Sequence, residues 1–127
     1  MIKKILIGVI FLVLTGIGVL DIIFVNNAIT KAIDGTNQLE VLIVRGASEK
    51  EVQEKAAEIE QNWVKNEKIL TIFMYDRDID TLGKQINLVR SLIDGGSIDE
   101  AKVEIGGLKY LLSSAKKVSE FNFDNIL

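Results

Sequence analysis

The sequence predicts an all-α protein in which an N-terminal transmembrane helix continues into an antiparallel helical bundle outside the membrane. Three observations support this fold class. Apolar residues recur at alternating steps of three and four along four stretches, which is the spacing of one helix face. The chain contains no proline, so no proline ring interrupts these stretches. It also opens with a long apolar run that carries a single charge.

The apolar run covers residues 5–25 and predicts a membrane anchor. At about 1.5 Å per residue, a helix of this length is about 31 Å long, which is close to the thickness of a bilayer core. Lys3 and Lys4 precede the run, so the positive-inside rule places the N-terminus in the cytoplasm. We therefore expect residues 1–25 to form a cytoplasmic start and a single-pass anchor in the cell membrane, and residues 26–127 to form an extracytoplasmic four-helix domain.

Two other interpretations of the apolar run stay open. A cleaved signal peptide also has a basic start, but its apolar core is shorter, and Asn26-Asn27-Ala28 is a poor cleavage signal. A buried helix of a soluble protein is the other alternative, although no polar second face is present. The one charge in the run, Asp21, lies near its outer end, so we expect its side chain to reach headgroup water. A functional intramembrane carboxylate is the alternative for Asp21.

The first two amphipathic stretches predict a helical hairpin. The first helix should continue from the membrane run without a break and end at Arg45-Gly46, where glycine supplies a left-handed cap. Ser48-Glu49-Lys50-Glu51 then matches a capping box that begins the second helix. The predicted core positions of this hairpin are Ile22, Val25, Ile29, Ala32, Thr36, Leu39 and Ile43, followed by Val52, Ala56, Ile59, Trp63, Asn66, Leu70 and Phe73. For Trp63, we expect core packing rather than a platform for a ligand.

The third and fourth stretches predict a second hairpin. Asp94-Gly95-Gly96 ends the third helix, and a second capping box at Ser97-Ile98-Asp99-Glu100 begins the fourth. The predicted core positions are Ile79, Leu82, Ile86, Val89 and Ile93, followed by Ile98, Ala101, Ile105, Leu108, Leu112 and Ala115. Gly106-Gly107 lies inside the fourth helix, where glycine costs about 1 kcal/mol per residue relative to alanine. We expect close approach of a neighbouring helix or a bulky ring at this pair; a hinge or a groove for a partner is the alternative.

The two hairpins resemble each other in spacing. A shift of about 50 residues places the core positions of the first helix on those of the third, and nearly the same shift relates the second helix to the fourth. Any two heptad hairpins of similar length can be aligned in this way, so a true duplication stays open. The arrangement is either a helical bundle or a pair of stacked hairpins, and a true duplication would suggest a tetratricopeptide-like pairing of the hairpins.

Three carboxylates, Asp76, Asp78 and Asp80, stand at every second position before the third helix. They match the first three ligand positions of a calcium loop, but Thr81 and Asn87 occupy the places where that loop needs glycine and a bidentate glutamate. We therefore predict helix capping, with Asp76 or Asp78 as the N-cap and the other carboxylates favoured by the helix dipole. Metal or partner binding at this turn, and an acid/base pair, are the alternatives.

The composition excludes several classes of function. Histidine and cysteine are absent, so the chain lacks the most common general base, thiolate nucleophiles and the usual transition-metal ligands. The net charge of −3 and the dispersed basic residues argue against nucleic-acid binding. We expect no cofactor and see no sign of a small-molecule substrate.

Several segments together resemble the domain-of-unknown-function family DUF4363. They are the basic start with one span, "NWVKNEKILTIFMYDRDID", "INLVRSLIDGGSIDEAKVEIGGLKYLL" and the closing "FNFDNIL". The spacing of Trp63, Leu70 and Phe73 and the final 125–127 are the most specific parts. The resemblance covers nearly the whole chain. It implies a small single-span membrane protein of endospore-forming Gram-positive bacteria, with a multi-span membrane protein as a partner. The family has no assigned activity.

The resemblance does not imply a histidine-based site, because Asp76 and Asp78 stand where family members often carry His and Glu. The leading functional hypothesis is a non-enzymatic accessory or scaffold that contacts a membrane or envelope protein. The alternative is an ectodomain that senses a ligand or a metal through residues 76–80. A carboxylate enzyme is the third hypothesis.

Overall fold

The described part of the chain folds into four α-helices, as seen in a computed structural model. The structure describes the backbone of residues 1–126 and the side chains of residues 1–17, 20 and 23–121. The helices are α1 (Ile2–Arg45), α2 (Glu49–Phe73), α3 (Asp76–Asp94) and α4 (Ile98–Ile126). Within the described backbone no strand is present. The predicted all-α class is confirmed.

The helices form a closed antiparallel bundle. α1 packs on α2 and α4, and α3 also packs on α2 and α4, while the described parts of the chain show no packing between diagonal helices. Each helix therefore has two neighbours, and the first helix meets the last. A tetratricopeptide-like stack would instead leave the first and last helices apart, so that alternative is wrong. The apolar faces of all four helices pack into one shared core, so the four helices form a closed ring.

Short turns connect the helices and confirm most of the predicted boundaries. Gly46 adopts a left-handed conformation with a φ of 76°, and Ala47 N–H donates to the Leu42 carbonyl at 2.9 Å. Ser48 is the N-cap of α2, and its hydroxyl accepts from Glu51 N–H at 3.2 Å. The Glu51 carboxylate binds Arg45 instead of completing the capping box. Gly96 provides the second left-handed residue, with a φ of 78°.

The predicted core positions supply almost all of the buried apolar side chains. The buried apolar side chains are Val25, Ala28, Ile29, Leu39, Val52, Ala56, Ile59, Trp63, Leu70, Ile79, Leu82, Ile86, Val89, Ile93, Ala101, Ile105, Leu108 and Leu112. Thr36 is fully buried among them and donates to the Ala32 carbonyl at 2.7 Å. The main departure is Phe73, which is 39% exposed because α2 ends at this residue.

The two ends of the bundle differ. We call the end with the α1–α2 and α3–α4 turns the far end, and the end with the α2–α3 turn the near end. α1 leaves the bundle at the near end, where Phe24 packs partly against the core and Val25 is its first described buried side chain. We call residues 5–23, which precede this point, the apolar segment. The helix continues without interruption from this segment into the bundle.

Some residues singled out in the sequence lie outside the described side chains. These are Asp21, Ile22 and the closing residues 125–127.

Candidate functional site

The carboxylates of the α2–α3 turn lie in the first turns of α3 and do not act as its cap. α3 begins at Asp76, and its N-cap is Tyr75, whose side chain makes no capping hydrogen bond. The backbone carbonyl of Tyr75 accepts from Asp78 N–H at 3.0 Å and from Ile79 N–H at 3.2 Å. The prediction of Asp76 or Asp78 as the N-cap is therefore wrong.

The same carboxylates do not converge on a common point. Asp80 pairs with Lys84 at 2.9 Å along the helix surface, and all three carboxylates are exposed. Among the side chains that the structure describes, no three acidic groups come close enough to hold a metal ion. Asp76 and Asp78 still stabilise α3 electrostatically, because they lie in its first turn, where the helix dipole favours negative charge.

Trp63 lies in the core, as predicted, with 4% of its surface exposed. Its Nε1 faces α3 at Gly83, where a Cβ atom would come within 3.4 Å. The lack of a side chain at Gly83 therefore leaves room for the indole between α2 and α3. The indole therefore packs inside the bundle against α3.

A groove of about 260 Å³ runs between α1 and α2 and borders Trp63. Its charged lining is balanced, with Lys31 and Lys55 against Asp34 and Glu58. Lys55 already pairs with Glu58 at 3.4 Å. The amide side chains of Gln38, Asn62 and Asn66 also line the groove, and neither positive nor negative charge dominates it.

Several polar contacts between helices stabilise the bundle. Arg90 on α3 pairs with the half-buried Glu60 on α2, and Asn87 donates to the same carboxylate at 3.2 Å. Lys109 on α4 pairs with Glu40 on α1 at 3.0 Å. The periodic pattern could not reveal these pairs, because it identifies apolar faces and not their neighbours.

The two adjacent glycines of α4 have different surroundings. A Cβ at Gly107 would lie 3.3 Å from Nε2 of Gln85 on α3. That amide donates to the Glu104 carbonyl at 2.9 Å and to its carboxylate at 2.8 Å. A Cβ at Gly106 would meet nothing within 4 Å. The expected close approach is therefore confirmed for Gly107 only.

The apolar segment of α1 is the most unusual surface of the molecule. Its described large apolar side chains between Ile5 and Leu20 are 50–71% exposed, and they point to all sides of the helix. The one polar side chain among them, Thr15, donates its hydroxyl to the Phe11 carbonyl at 2.8 Å. Among the described residues, no helix combines the length and the apolar character of a membrane span. The predicted transmembrane segment stays a prediction.

The α2–α3 turn carries a feature that the sequence interpretation missed. Its residues Ile72, Phe73, Met74 and Tyr75 are all apolar or aromatic, and Ile72 and Tyr75 are 72% and 83% exposed. The two far-end turns contain Gly46-Ala47-Ser48 and Gly95-Gly96-Ser97. A turn without glycine, serine or proline is the signal that would have identified this surface.

Comparison with known proteins identifies the family. The domain of unknown function DUF4363 matches residues 20–126. This match covers most of the chain, so the protein belongs to the DUF4363 family, and the resemblance seen in the sequence is confirmed. No curated protein and no solved structure matches the chain.

Proposed function

We propose that this DUF4363 protein is a membrane-anchored scaffold without enzymatic activity. In this proposal the apolar segment of α1 crosses the cell membrane once, and the four-helix bundle makes protein contacts on the extracytoplasmic side. The observation that carries the proposal is the all-round apolar surface of α1 before it enters the bundle.

This surface fits a lipid environment better than contact with one partner helix. A helix that docks on a single partner needs one apolar stripe, whereas a helix that is apolar on all sides is typical of a core or a membrane. In the sequence the run continues to Val25, through the positions whose side chains are not described. From Ile5 to Ile23 a helix is about 28 Å long, close to the bilayer core. The internal hydrogen bond of Thr15 also satisfies its hydroxyl without water.

Lys3 and Lys4 support an orientation with the N-terminus in the cytoplasm, by the positive-inside rule. The bundle then lies outside. The absence of histidine and cysteine from the chain and the dispersed, exposed carboxylates of α3 support a role in binding rather than catalysis. The proposed partner is a membrane or envelope protein, because the bundle would be held at the membrane surface.

A first experiment tests the anchor with a matched pair of arginine substitutions. In a producing bacterium, the full chain should stay in the membrane pellet after alkaline carbonate extraction. Leu12→Arg places a charge at the middle of the apolar segment, where insertion is penalised by about 2.5–3.5 kcal/mol. It should move a large fraction of the chain to the supernatant. Val103→Arg, at a bundle position that is 73% exposed, should leave the distribution unchanged. Release of the unsubstituted chain by carbonate would refute the anchor.

A second experiment tests the orientation and uses the absence of cysteine from the chain. With Glu100→Cys, a membrane-impermeant maleimide should label intact protoplasts. With Ile2→Cys, labelling should require permeabilisation. The reverse pattern would refute the extracytoplasmic placement of the bundle.

A third experiment tests the scaffold role. Crosslinking of intact membranes followed by mass spectrometry should join bundle lysines to one membrane or envelope protein. The crosslink should disappear with the Leu12→Arg variant. If the bundle lysines form no crosslink to another protein in intact membranes, the scaffold proposal fails.

A further inference from the structure

We propose that the near end of the bundle rests on the lipid bilayer through the α2–α3 turn. This inference depends on the membrane anchor proposed above and adds a second contact between the protein and lipid. The contact surface consists of Ile72, Phe73 and Tyr75, with Phe121 at the same level on α4. We call these residues the near-end patch.

The first argument is the exposure and chemistry of the near-end patch. Ile72 and Tyr75 are 72% and 83% exposed, and Phe121 is 66% exposed. Aromatic side chains are enriched where a protein meets the headgroup region, because their rings are apolar and tyrosine also carries a hydroxyl for water. A connection that faces only water normally carries no large apolar side chain, and both far-end turns consist of glycine, alanine and serine.

The second argument is the position of the patch along the bundle axis. α2 extends about 36 Å from Glu49 to Phe73. The same distance along the antiparallel α1, measured from Arg45, ends close to position 21. On α4, about 35 Å separates Ile98 from Phe121, which reaches a similar level. The near-end patch therefore lies level with the outer end of the apolar run.

The third argument is the absence of a spacer between the apolar segment and the bundle. Ile23 is 41% exposed, Phe24 packs partly against the core, and Val25 is buried. No breaker separates them, since α1 is a single helix from Ile2 to Arg45. If the apolar segment spans the bilayer, the next residues of α1 are already part of the bundle core. The α2–α3 turn must then lie at the lipid surface.

The near end carries both positive and negative side chains. This mixture favours contact with any bilayer interface rather than a preference for anionic lipid. Arg77 and Lys68 are accompanied by Asp76 and Asp78, all exposed. A mixed surface of this kind is compatible with zwitterionic headgroups, and the apolar and aromatic side chains supply the attraction.

The proposal is tested with the full-length chain in phosphatidylcholine vesicles, using single cysteines that carry a fluorescent dye. Asp78→Cys and Asp94→Cys place the dye at the near and far ends of the same helix. Leu12→Cys places it in the apolar segment. Quenching by lipids with a nitroxide on the headgroup or on the acyl chain reports contact with each layer. The emission of the single tryptophan, Trp63, verifies that each variant is folded.

We expect acyl-chain quenching at position 12, headgroup quenching at position 78 and no quenching at position 94. The double substitution Ile72→Ser with Tyr75→Ser should reduce the quenching at position 78. The matched control is Val103→Ser with Tyr110→Ser. It also replaces one aliphatic and one tyrosine side chain, both 73% exposed, and should leave the quenching unchanged.

The outcomes separate this inference from the proposed function. Quenching at position 12 without excess quenching at 78 over 94 would refute the docked end and leave the anchor intact. Quenching at 78 that is insensitive to the Ile72 and Tyr75 substitutions would also refute the patch. No quenching at position 12 would refute the anchor and this inference together.

Discussion

The two glycines of α4 should respond differently to alanine, although they are adjacent in the chain. Both lie in the interior of a helix, where glycine is about 1 kcal/mol less favourable than alanine. At Gly106 a methyl group would meet nothing within 4 Å, so the whole gain is available. Gly106→Ala should therefore raise the free energy of unfolding by about 1 kcal/mol. For a domain of this size, that raises the melting temperature by about 4–8 °C.

At Gly107 the same gain is opposed by a contact with α3. The new methyl group would lie 3.3 Å from Nε2 of Gln85, so this side chain has to move. Its two hydrogen bonds to Glu104, at 2.9 and 2.8 Å, would weaken. A typical hydrogen bond contributes about 0.5–1.5 kcal/mol, and one to a charged group about 1.5–3 kcal/mol. Gly107→Ala should therefore be neutral or destabilising.

The measurement is urea unfolding of the full chain in a non-ionic detergent, followed by the emission of the buried Trp63. A double-mutant cycle then isolates the contact, because Gln85→Ala removes the obstacle. In that background Gly107→Ala should gain about 1 kcal/mol, like Gly106→Ala in the original chain. Equal stabilisation by both alanines in the original chain would contradict the close approach at Gly107. A loss at Gly106 would contradict its open surroundings.

Four further predictions concern the core and the α3 turn. Trp63→Ala should lower the free energy of unfolding by about 3–5 kcal/mol, measured by circular dichroism, and a loss under about 1 kcal/mol would contradict its core role. Thr36→Val should leave this free energy unchanged or raise it by up to about 1 kcal/mol, because the Thr36 hydroxyl bonds only to a carbonyl of its own helix. A clear loss in urea unfolding would show that the hydroxyl is needed. Asp78→Ala should cost about 0.3–1 kcal/mol, less at high salt, because only the helix dipole is lost. Calcium, magnesium or a chelator should leave the melting temperature of the unsubstituted chain unchanged; a rise with metal that disappears in Asp78→Ala would restore the sensing hypothesis.

The elements of the fold could be predicted because their causes are local. Heptad spacing identifies a buried face, and the conformation at Gly46 is one that glycine adopts at little cost. The closed ring could not be predicted in this way. A stripe shows which side of a helix is buried, but not which helix covers it. The contact of α1 with α4 joins parts of the chain that are distant in sequence.

The start of α3 shows where local signals are ambiguous. Three aspartates at alternate positions offer several possible caps, and the sequence does not choose between them. The structure places the boundary earlier because Met74 packs against the core and its N–H still donates to the Leu70 carbonyl at 2.8 Å. The chain must then reverse within Met74 and Tyr75, so α3 begins at once and Asp76 falls inside it. Tertiary packing, and not capping preference, sets this boundary.

The sequence and the structure also place the junction between the apolar segment and the bundle at different residues. In the sequence, residues 5–25 form one apolar run, and Val25 belongs to the predicted anchor as well as to the predicted core stripe. The structure assigns Val25 to the core and leaves Ile23 half-exposed. Because α1 is continuous, only about one residue separates the apolar segment from the first residue of the bundle core. A lipid-spanning α1 could not hold the bundle away from the membrane, so the apolar α2–α3 turn would be brought to the lipid surface by the covalent geometry of a single helix.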